Sequence, residues 1–171
     1  TRLDKPILNV VPNSWEQYLV SNAAPVVMKN GKVWLYYKGV EKLRVHAIGL
    51  AVADCPTCEY KRVADKPLNM GIGAEDPFIW MEKGKFKALM LDHEKRYSPE
   101  KEIFYAVSDD GLKWHVPRNA IAVSKNVRFA DGTTKKMNST ERPHVLIENG
   151  KPTFVFFATG ETVNGKRFTW N

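Results

Sequence analysis

The chain has 171 residues, of which 43% are hydrophobic, and it carries a formal net charge of +7. This length suits one ordinary domain with a sizeable core, and the apolar fraction argues against an intrinsically disordered chain. No apolar run is long enough for a membrane-spanning helix, and the basic residues are spread over turns without a nucleic-acid motif. We therefore expect neither a membrane nor a nucleic acid as a partner.

Short apolar runs rich in Val, Ile, Phe, Tyr and Trp dominate the chain, and pairs such as Asn-Gly and Asp-Gly bound them. This pattern is typical of short antiparallel strands joined by tight turns. The first strand pair is predicted over residues 20–40, and a third strand over residues 48–54. A Cys-Pro-Thr-Cys turn follows, which is too small for a four-ligand zinc site. Whether Cys55 and Cys58 form a disulfide is left open by the sequence.

The same design then occurs again along the chain. Strand pairs are predicted over residues 74–92 and 141–159, each with a Pro near its start and a Gly-Lys turn in its middle. A strand over residues 103–109 repeats the one that follows the first pair. Residues 128–134 are interpreted as a surface insertion, and residues 2–8 as the closing segment of a preceding unit.

Internal repeats of this size are decisive for the fold. Pro25, Pro77 and Pro143 mark the starts of the three strand pairs and are separated by 52 and 66 residues. Four antiparallel strands per repeat indicate a β-propeller blade, and three blades cannot close a ring, because propellers have about four to eight. The sequence therefore predicts an all-β chain in which residues 1–171 form a partial propeller domain, with one or more N-terminal blades absent.

The starts of the three strand pairs are predicted to meet at one mouth of the propeller channel, because the first strand of a blade lines that channel. Clustered carboxylates raise the pKa of at least one of them, and a protonated carboxyl beside an ionised one suits glycosidic hydrolysis. The residues predicted to converge there are Asn22, Lys38, Glu75, Asp76, Asp92, His93, Glu141, Arg142, His144 and Thr159.

Two simpler interpretations compete with this site. An acidic residue before Pro can cap a turn, although its repetition at equivalent positions favours function. His144 could contact a ligand or be a satisfied core histidine, and both interpretations stay open. His46 and His115 are assigned to the surface or to a strand edge.

These motifs resemble the furanosidase superfamily of five-bladed propellers, and most closely the enzymes similar to glycoside hydrolase family 43. The motifs similar to those of that family's second, third and fourth blades are Ala24-Pro25, Asp76-Pro77 and Glu141-Arg142-Pro143. The resemblance covers essentially the whole chain. It implies an inverting hydrolysis of plant- or algal-type oligosaccharides or polysaccharides, with Glu141 as general acid and Asp76 as pKa modulator. The residues then assigned to substrate binding are Asn22, Lys38, Glu75, Asp92, Arg142 and His144.

The family's general base is an Asp of the first blade, and this sequence has no counterpart of that blade. Two functions therefore stay open: a glycoside hydrolase completed by blades from the rest of the protein, another chain or a dimer mate, and a non-catalytic carbohydrate-binding propeller. A third is a hydrolase of anhydro-galactose units with His93 or His144 as acid. No cofactor or metal is expected, and nothing indicates a structural calcium ion in the channel. The resemblance implies a periplasmic or extracellular location.

Overall fold

The computed structural model describes residues 4–41, 45–70 and 73–170. These residues contain thirteen strands and no helix, and therefore no helix that could cross a membrane. All strand pairs among them are antiparallel. The predicted all-β class is confirmed.

The strands form three blades in chain order. The first blade consists of β1 (Leu19–Val27), β2 (Val33–Val40), β3 (His46–Ala53) and β4 (Lys61–Arg62). The second consists of β5 (Ala74–Glu82), β6 (Lys85–Asp92), β7 (Ile103–Ser108) and β8 (Ile121–Val123). A small hairpin of β9 (Asn126–Arg128) and β10 (Thr134–Lys136) precedes the third blade, which consists of β11 (Ser139–Glu148), β12 (Lys151–Val163) and β13 (Lys166–Trp170).

The three predicted strand pairs are confirmed as the inner hairpins of the blades. Their turns contain Gly31, Gly84 and Gly150 with φ of 83°, 79° and 72°, a backbone region that glycine enters at no steric cost. The predicted insertion is the hairpin of β9 and β10. Residues 4–8 form no strand within the described residues, and residues 2 and 3 lie outside them. Because the predicted closing segment would pair with strands of a preceding blade, it stays a prediction.

The turn after β3 is closed by a disulfide. The sulfur atoms of Cys55 and Cys58 are bonded, and the Cys58 amide donates a 3.1 Å hydrogen bond to the Cys55 carbonyl. The structure thus answers the question that the sequence left open, and it confirms that these residues form a turn.

The hydrophobic cores lie between blades, because each sheet presents apolar side chains to its neighbour. The larger cluster joins the first and second blades and includes the fully buried Tyr36, Met90 and Phe104. A smaller one, which includes Leu89 and Val145, joins the second and third blades. Face-to-face packing of successive sheets is the arrangement that stabilises a propeller.

The third blade differs from the other two in its exposure. Its sheet has three strands within the described residues, and large apolar side chains of β12 and β13 lie open to solvent. The exposed aromatic residues among them are Phe154 (62%), Phe156 (54%), Phe168 (49%) and Trp170 (42%).

Each inner strand has a bulge near its start. The pairing with the second strand shifts directly after Ser21, Glu75 and Glu141. The next residue has a positive φ in every blade: 53° at Asn22, 50° at Asp76 and 52° at Arg142. These residues are therefore equivalent in the three blades.

This equivalence corrects the alignment of the repeats at one point. Pro77 and Pro143 directly follow the bulge residues of their blades, whereas Pro25 lies two positions further along its strand. The proline spacing suggested three equal motifs. The feature that repeats in the structure is instead a residue with positive φ, a conformation that asparagine can adopt without a following proline.

Gly111 provides a test of the packing between the first two blades. Its φ is 72°, and an added Cβ would lie 2.6 Å from Tyr36 Oη and 2.8 Å from the Trp34 ring. Gly84, with φ of 79°, has open space instead. Both Gly→Ala variants strain the backbone, so their difference isolates the overpacking. We predict that Gly111→Ala lowers the free energy of unfolding by about 1–3 kcal/mol more than Gly84→Ala, measured by urea denaturation.

Equal losses in the two variants would contradict the packing described around Tyr36. The wild-type chain serves as the common reference for both measurements.

Candidate functional site

A cavity of about 380 Å³ opens where the three inner strands begin. Each blade contributes its bulge residue to the lining. In a regular strand successive side chains alternate between the two faces, and a bulge whose residue has positive φ interrupts this alternation and changes the direction of that side chain. The predicted convergence of Asn22, Asp76 and Arg142 is therefore confirmed. His144 also lines this cavity, with its ring centroid 4.3 Å from that of Phe78.

Asp76 is the buried carboxylate of this cavity, with 8% of the residue exposed. The amide nitrogen of Asn22 donates a hydrogen bond to its Oδ1. Burial raises the pKa of Asp76, and the negative charge of Glu75 adds to this effect, while the cations Arg142 and Lys38 oppose it. The first blade thus supplies the hydrogen-bond donor that holds the carboxylate of the second.

Glu75 precedes Asp76 but faces the gap between the first two blades. Its Oε1 lies 2.5 Å from Lys38 Nζ, and its Oε2 lies 3.4 Å from His46 Nδ1 and 3.7 Å from His93 Nε2. Burial opposes the ionisation of Glu75, but the hydrogen bond and the charge of Lys38 outweigh it, and the pKa of Glu75 is lowered. The two adjacent carboxyls are therefore shifted in opposite directions.

His46 corrects the prediction made from the sequence. It was assigned to the surface or to a strand edge, yet its side chain is only 15% exposed and lies beside Glu75. Its ring centroid is 4.1 Å from that of His93. The sequence carries no local signal of this position, because the contact joins the start of β3 to the next blade. His115 is exposed, as predicted.

Glu141 occupies the position in the third blade that Glu75 has in the second. It does not line the cavity of Asp76 but a second one of about 360 Å³, together with Lys101, Lys125 and Arg167. Arg167 Nη2 lies 3.3 Å from its Oε1. The predicted single cluster of carboxylates is therefore divided between neighbouring cavities, although Asp76 still senses the charge of Glu141. Sequence reasoning did not single out Arg167, Lys101 or Lys125.

The predicted grouping of Lys38, Asp92 and Thr159 is wrong by one residue of register. Lys38 pairs with Ser21, directly before the bulge, whereas Asp92 and Thr159 pair with residues one position earlier in their own inner strands. A shift of one residue turns a side chain to the opposite face. The Asp92 carboxylate accepts hydrogen bonds of 2.8–3.1 Å from the backbone amides of residues 96–98 and so closes a loop outside the cavity.

Comparison with known proteins identifies the fold. No protein-family model matches the chain, and no curated protein matches it. Several solved structures, however, are similar to it. A putative glycoside hydrolase from Parabacteroides distasonis is 19% identical with a TM-score of 0.58, and the match covers 96% of this chain and 51% of that protein. A protein described as a glycoside hydrolase is 16% identical with a TM-score of 0.65, over 98% of this chain and 50% of its own.

A family 117 glycoside hydrolase from the marine bacterium Zobellia galactanivorans is also similar, with 20% identity and a TM-score of 0.54 over 74% of this chain and 35% of its own. At these identities the likeness establishes the fold, which is an all-β propeller. The chain spans between about a third and a half of the length of these three structures. The narrower resemblance to family 43 stays a prediction.

The opposite pKa shifts of Asp76 and Glu75 predict opposite effects on stability. The folded state holds the Asp76 proton more tightly than the unfolded state, so stability falls as the pH rises through the raised pKa. The pKa of Glu75 is lowered, so the effect on stability is the reverse. The ionised Glu75 stabilises the folded state, and this stabilisation is lost as the pH falls through the lowered pKa. At pH 7, Asp76→Asn should therefore stabilise the chain, and Glu75→Gln should destabilise it.

Urea denaturation at a series of pH values measures both effects. The difference caused by Asp76→Asn should shrink as the pH is lowered from 7 towards the ordinary carboxyl range, about pH 4, because the raised pKa lies above that range. The difference caused by Glu75→Gln should persist down to that range and shrink only below it, because the pKa of Glu75 is lowered. Shifts of the same sign at pH 7 would contradict the assignment of burial to Asp76 and of ion pairing to Glu75.

Proposed function

We propose that this chain is part of a glycoside hydrolase that cleaves glycosidic bonds of oligosaccharides or polysaccharides. The observation that carries the proposal is the open cavity at the blade starts, with a buried carboxylate of raised pKa and the carboxylate of Glu141 close enough to influence it. The similarity of the fold to proteins described as glycoside hydrolases supports it.

In the proposed reaction, Glu141 is the general acid that donates a proton to the leaving glycosidic oxygen. Asp76 modulates the acid and orients the sugar, and the donors of Asn22 and Arg142 bind sugar hydroxyls. The Arg167 side chain, which is 61% exposed, must leave the Glu141 carboxylate when the substrate enters. Arg167 is therefore a further residue whose position controls the acid.

The general base must come from outside the described residues. In an inverting hydrolase the two carboxyl groups are about 6.5–9.5 Å apart, so that a water molecule fits between the base and the sugar. The resemblance to family 43 places the base on a first blade. The channel-facing position of the first described blade holds Asn22, which cannot act as a carboxylate base.

A second candidate is a non-catalytic carbohydrate-binding propeller. One observation favours it: Glu141 and Asp76 line different cavities, and Glu141 is ion-paired with Arg167. A His acid in place of Glu141 is a further alternative, since His144 lines the main cavity and is exposed.

Replacement of Glu141 by Gln separates these candidates. In the protein that carries all blades, we predict a loss of about 10²–10⁴-fold in turnover of a substrate with a poor leaving group, because proton donation is lost. The loss should be far smaller on an activated aryl glycoside, whose leaving group needs little protonation. Glu148→Gln, an exposed change beside the turn of the same hairpin, is the matched control and should retain activity.

Asp76→Asn should slow both substrates. If Glu141→Gln leaves the turnover of the natural substrate unchanged, Glu141 is not the acid, and the binding-module or His-acid alternative gains.

We further propose that additional blades cover the exposed apolar face of the third blade, supplied by the rest of the protein, another chain or a dimer mate. Exposed aromatic side chains on β12 and β13 support this, since contiguous apolar patches mark interaction surfaces. We also propose a periplasmic or extracellular location, where the Cys55–Cys58 disulfide would persist.

Sedimentation velocity tests the covered face. The 171-residue chain alone should associate, and replacing Phe154 and Phe156 by Ser should weaken that association. The same change at Val27, an exposed residue of the first blade, is the control. A stable monomer of the wild-type chain that unfolds cooperatively would contradict the proposal.

A further inference from the structure

Three metal-ligating side chains converge between the first and second blades. His46 begins β3, Glu75 lies at the start of β5, and His93 directly follows β6. One ligand atom of each lies within 4.8 Å of the other two. All three side chains are partly buried, with 15%, 17% and 26% of their surface exposed. This His–Glu–His cluster is distinct from the cavity of Asp76.

The two distances from Glu75 to the histidines are close to those between ligand atoms around a zinc ion. Ligand atoms about 2.0–2.1 Å from zinc at tetrahedral angles are about 3.3 Å apart. Glu75 Oε2 lies 3.4 Å from His46 Nδ1 and 3.7 Å from His93 Nε2. Both separations are therefore within a few tenths of an ångström of the value expected around one ion.

His46 supplies an independent indication. Its Nδ1 atom is buried and has no hydrogen-bond partner among the residues that the structure describes. A buried polar atom without a partner costs free energy and calls for a specific explanation, of which a bound ion is one.

His93 is oriented as a metal ligand commonly is. Its Nδ1 lies 2.9 Å from Glu94 Oε1, and in the tautomer that donates a hydrogen bond from Nδ1 to this carboxylate, Nε2 carries the lone pair that a metal would use. A carboxylate behind a histidine is the usual support of a zinc-bound imidazole. Glu94 would therefore be an outer partner of the site.

Two lysines set the charge of the cluster. Lys38 binds Oε1 of Glu75 and leaves Oε2 available to an ion. The Lys101 ammonium lies 3.2 Å from His93 Nε2, where it occupies the lone pair that a metal would use. Lys101 is thus the group that an entering metal must displace, and its flexible stem permits that.

We propose that His46, Glu75 and His93 bind a divalent transition-metal ion such as Zn²⁺, which ties the first blade to the second beside the mouth. Two neutral imidazoles and one carboxylate suit this class of ion better than calcium, which prefers oxygen ligands. The ion would hold the start of β5 and so position Asp76. The proposal rests on these contacts and does not depend on the glycosidase proposal.

Titration of the metal-free full chain with Co²⁺ tests the site by the visible absorption of the bound ion. We expect one strong site per chain, displaced by Zn²⁺. Glu94→Gln should weaken binding by about 10–100-fold, and His46→Gln and His93→Gln should weaken it at least as much. Lys101→Met should tighten it. His115→Gln, a change at an exposed histidine, is the control and should bind as the wild type does.

Binding that is equal in the wild type and in both His46→Gln and His93→Gln would overturn the proposal, as would an equal loss in His115→Gln. Near-UV circular dichroism of each variant shows whether it is folded. The Lys101→Met variant keeps all three proposed ligands and removes only the competing ammonium group. Weaker or unchanged metal binding in this variant would therefore also overturn the proposal. Because the readout is metal binding, its failure is separate from any failure of glycosidase activity.

Discussion

The candidate site depends on one backbone feature, the left-handed residue in the bulge of each inner strand. Regular strand alternation would send successive side chains to opposite faces of the blade. The bulge breaks that alternation and gathers three side chains around one cavity. A positive φ is tolerated by Asn22 and Asp76, but for Arg142 it is strained by about 1–2 kcal/mol. Backbone strain of this kind recurs at functional sites in proteins, and at Arg142 it lies in the lining of the cavity.

The bulge also explains why adjacent carboxyls behave differently. Asp76 turns into the channel, where burial dominates its electrostatics, whereas Glu75 stays in the gap between blades and meets Lys38. The third blade repeats this division with Arg142 in the channel and Glu141 in the gap. One repeated backbone conformation therefore creates two kinds of site, one central and one between blades.

The gaps between blades carry clusters of charged groups at their mouth ends. Along most of their length, aromatic and aliphatic side chains such as Tyr36 and Phe104 fill them. At the mouth, charged groups and imidazoles replace this packing, and their desolvation is offset by pairing. The His–Glu–His cluster lies at such an end, where a cross-link would act directly on the start of an inner strand.

The sequence by itself determined where the strands and turns lie and how the strands are grouped into repeated units. Gly31, Gly84 and Gly150 mark the turns because they accept positive φ, and the alternating apolar runs predict the hairpins that they join. The repetition of this unit predicts a propeller, and the chemistry of Asn22, Asp76 and Arg142 at the blade starts predicts their convergence.

Tertiary structure alone decided which side each residue faces and which blade it meets. The bulges moved Pro25 out of the proline repeat and separated Lys38 from Asp92, because one residue of register reverses a side chain. His46 of the first blade lies beside Glu75 and His93 of the second, and Glu141 shares a cavity with Lys101 and Lys125 across the next gap. Such contacts depend on the packing of one sheet on another, for which neighbouring residues in the chain carry no signal.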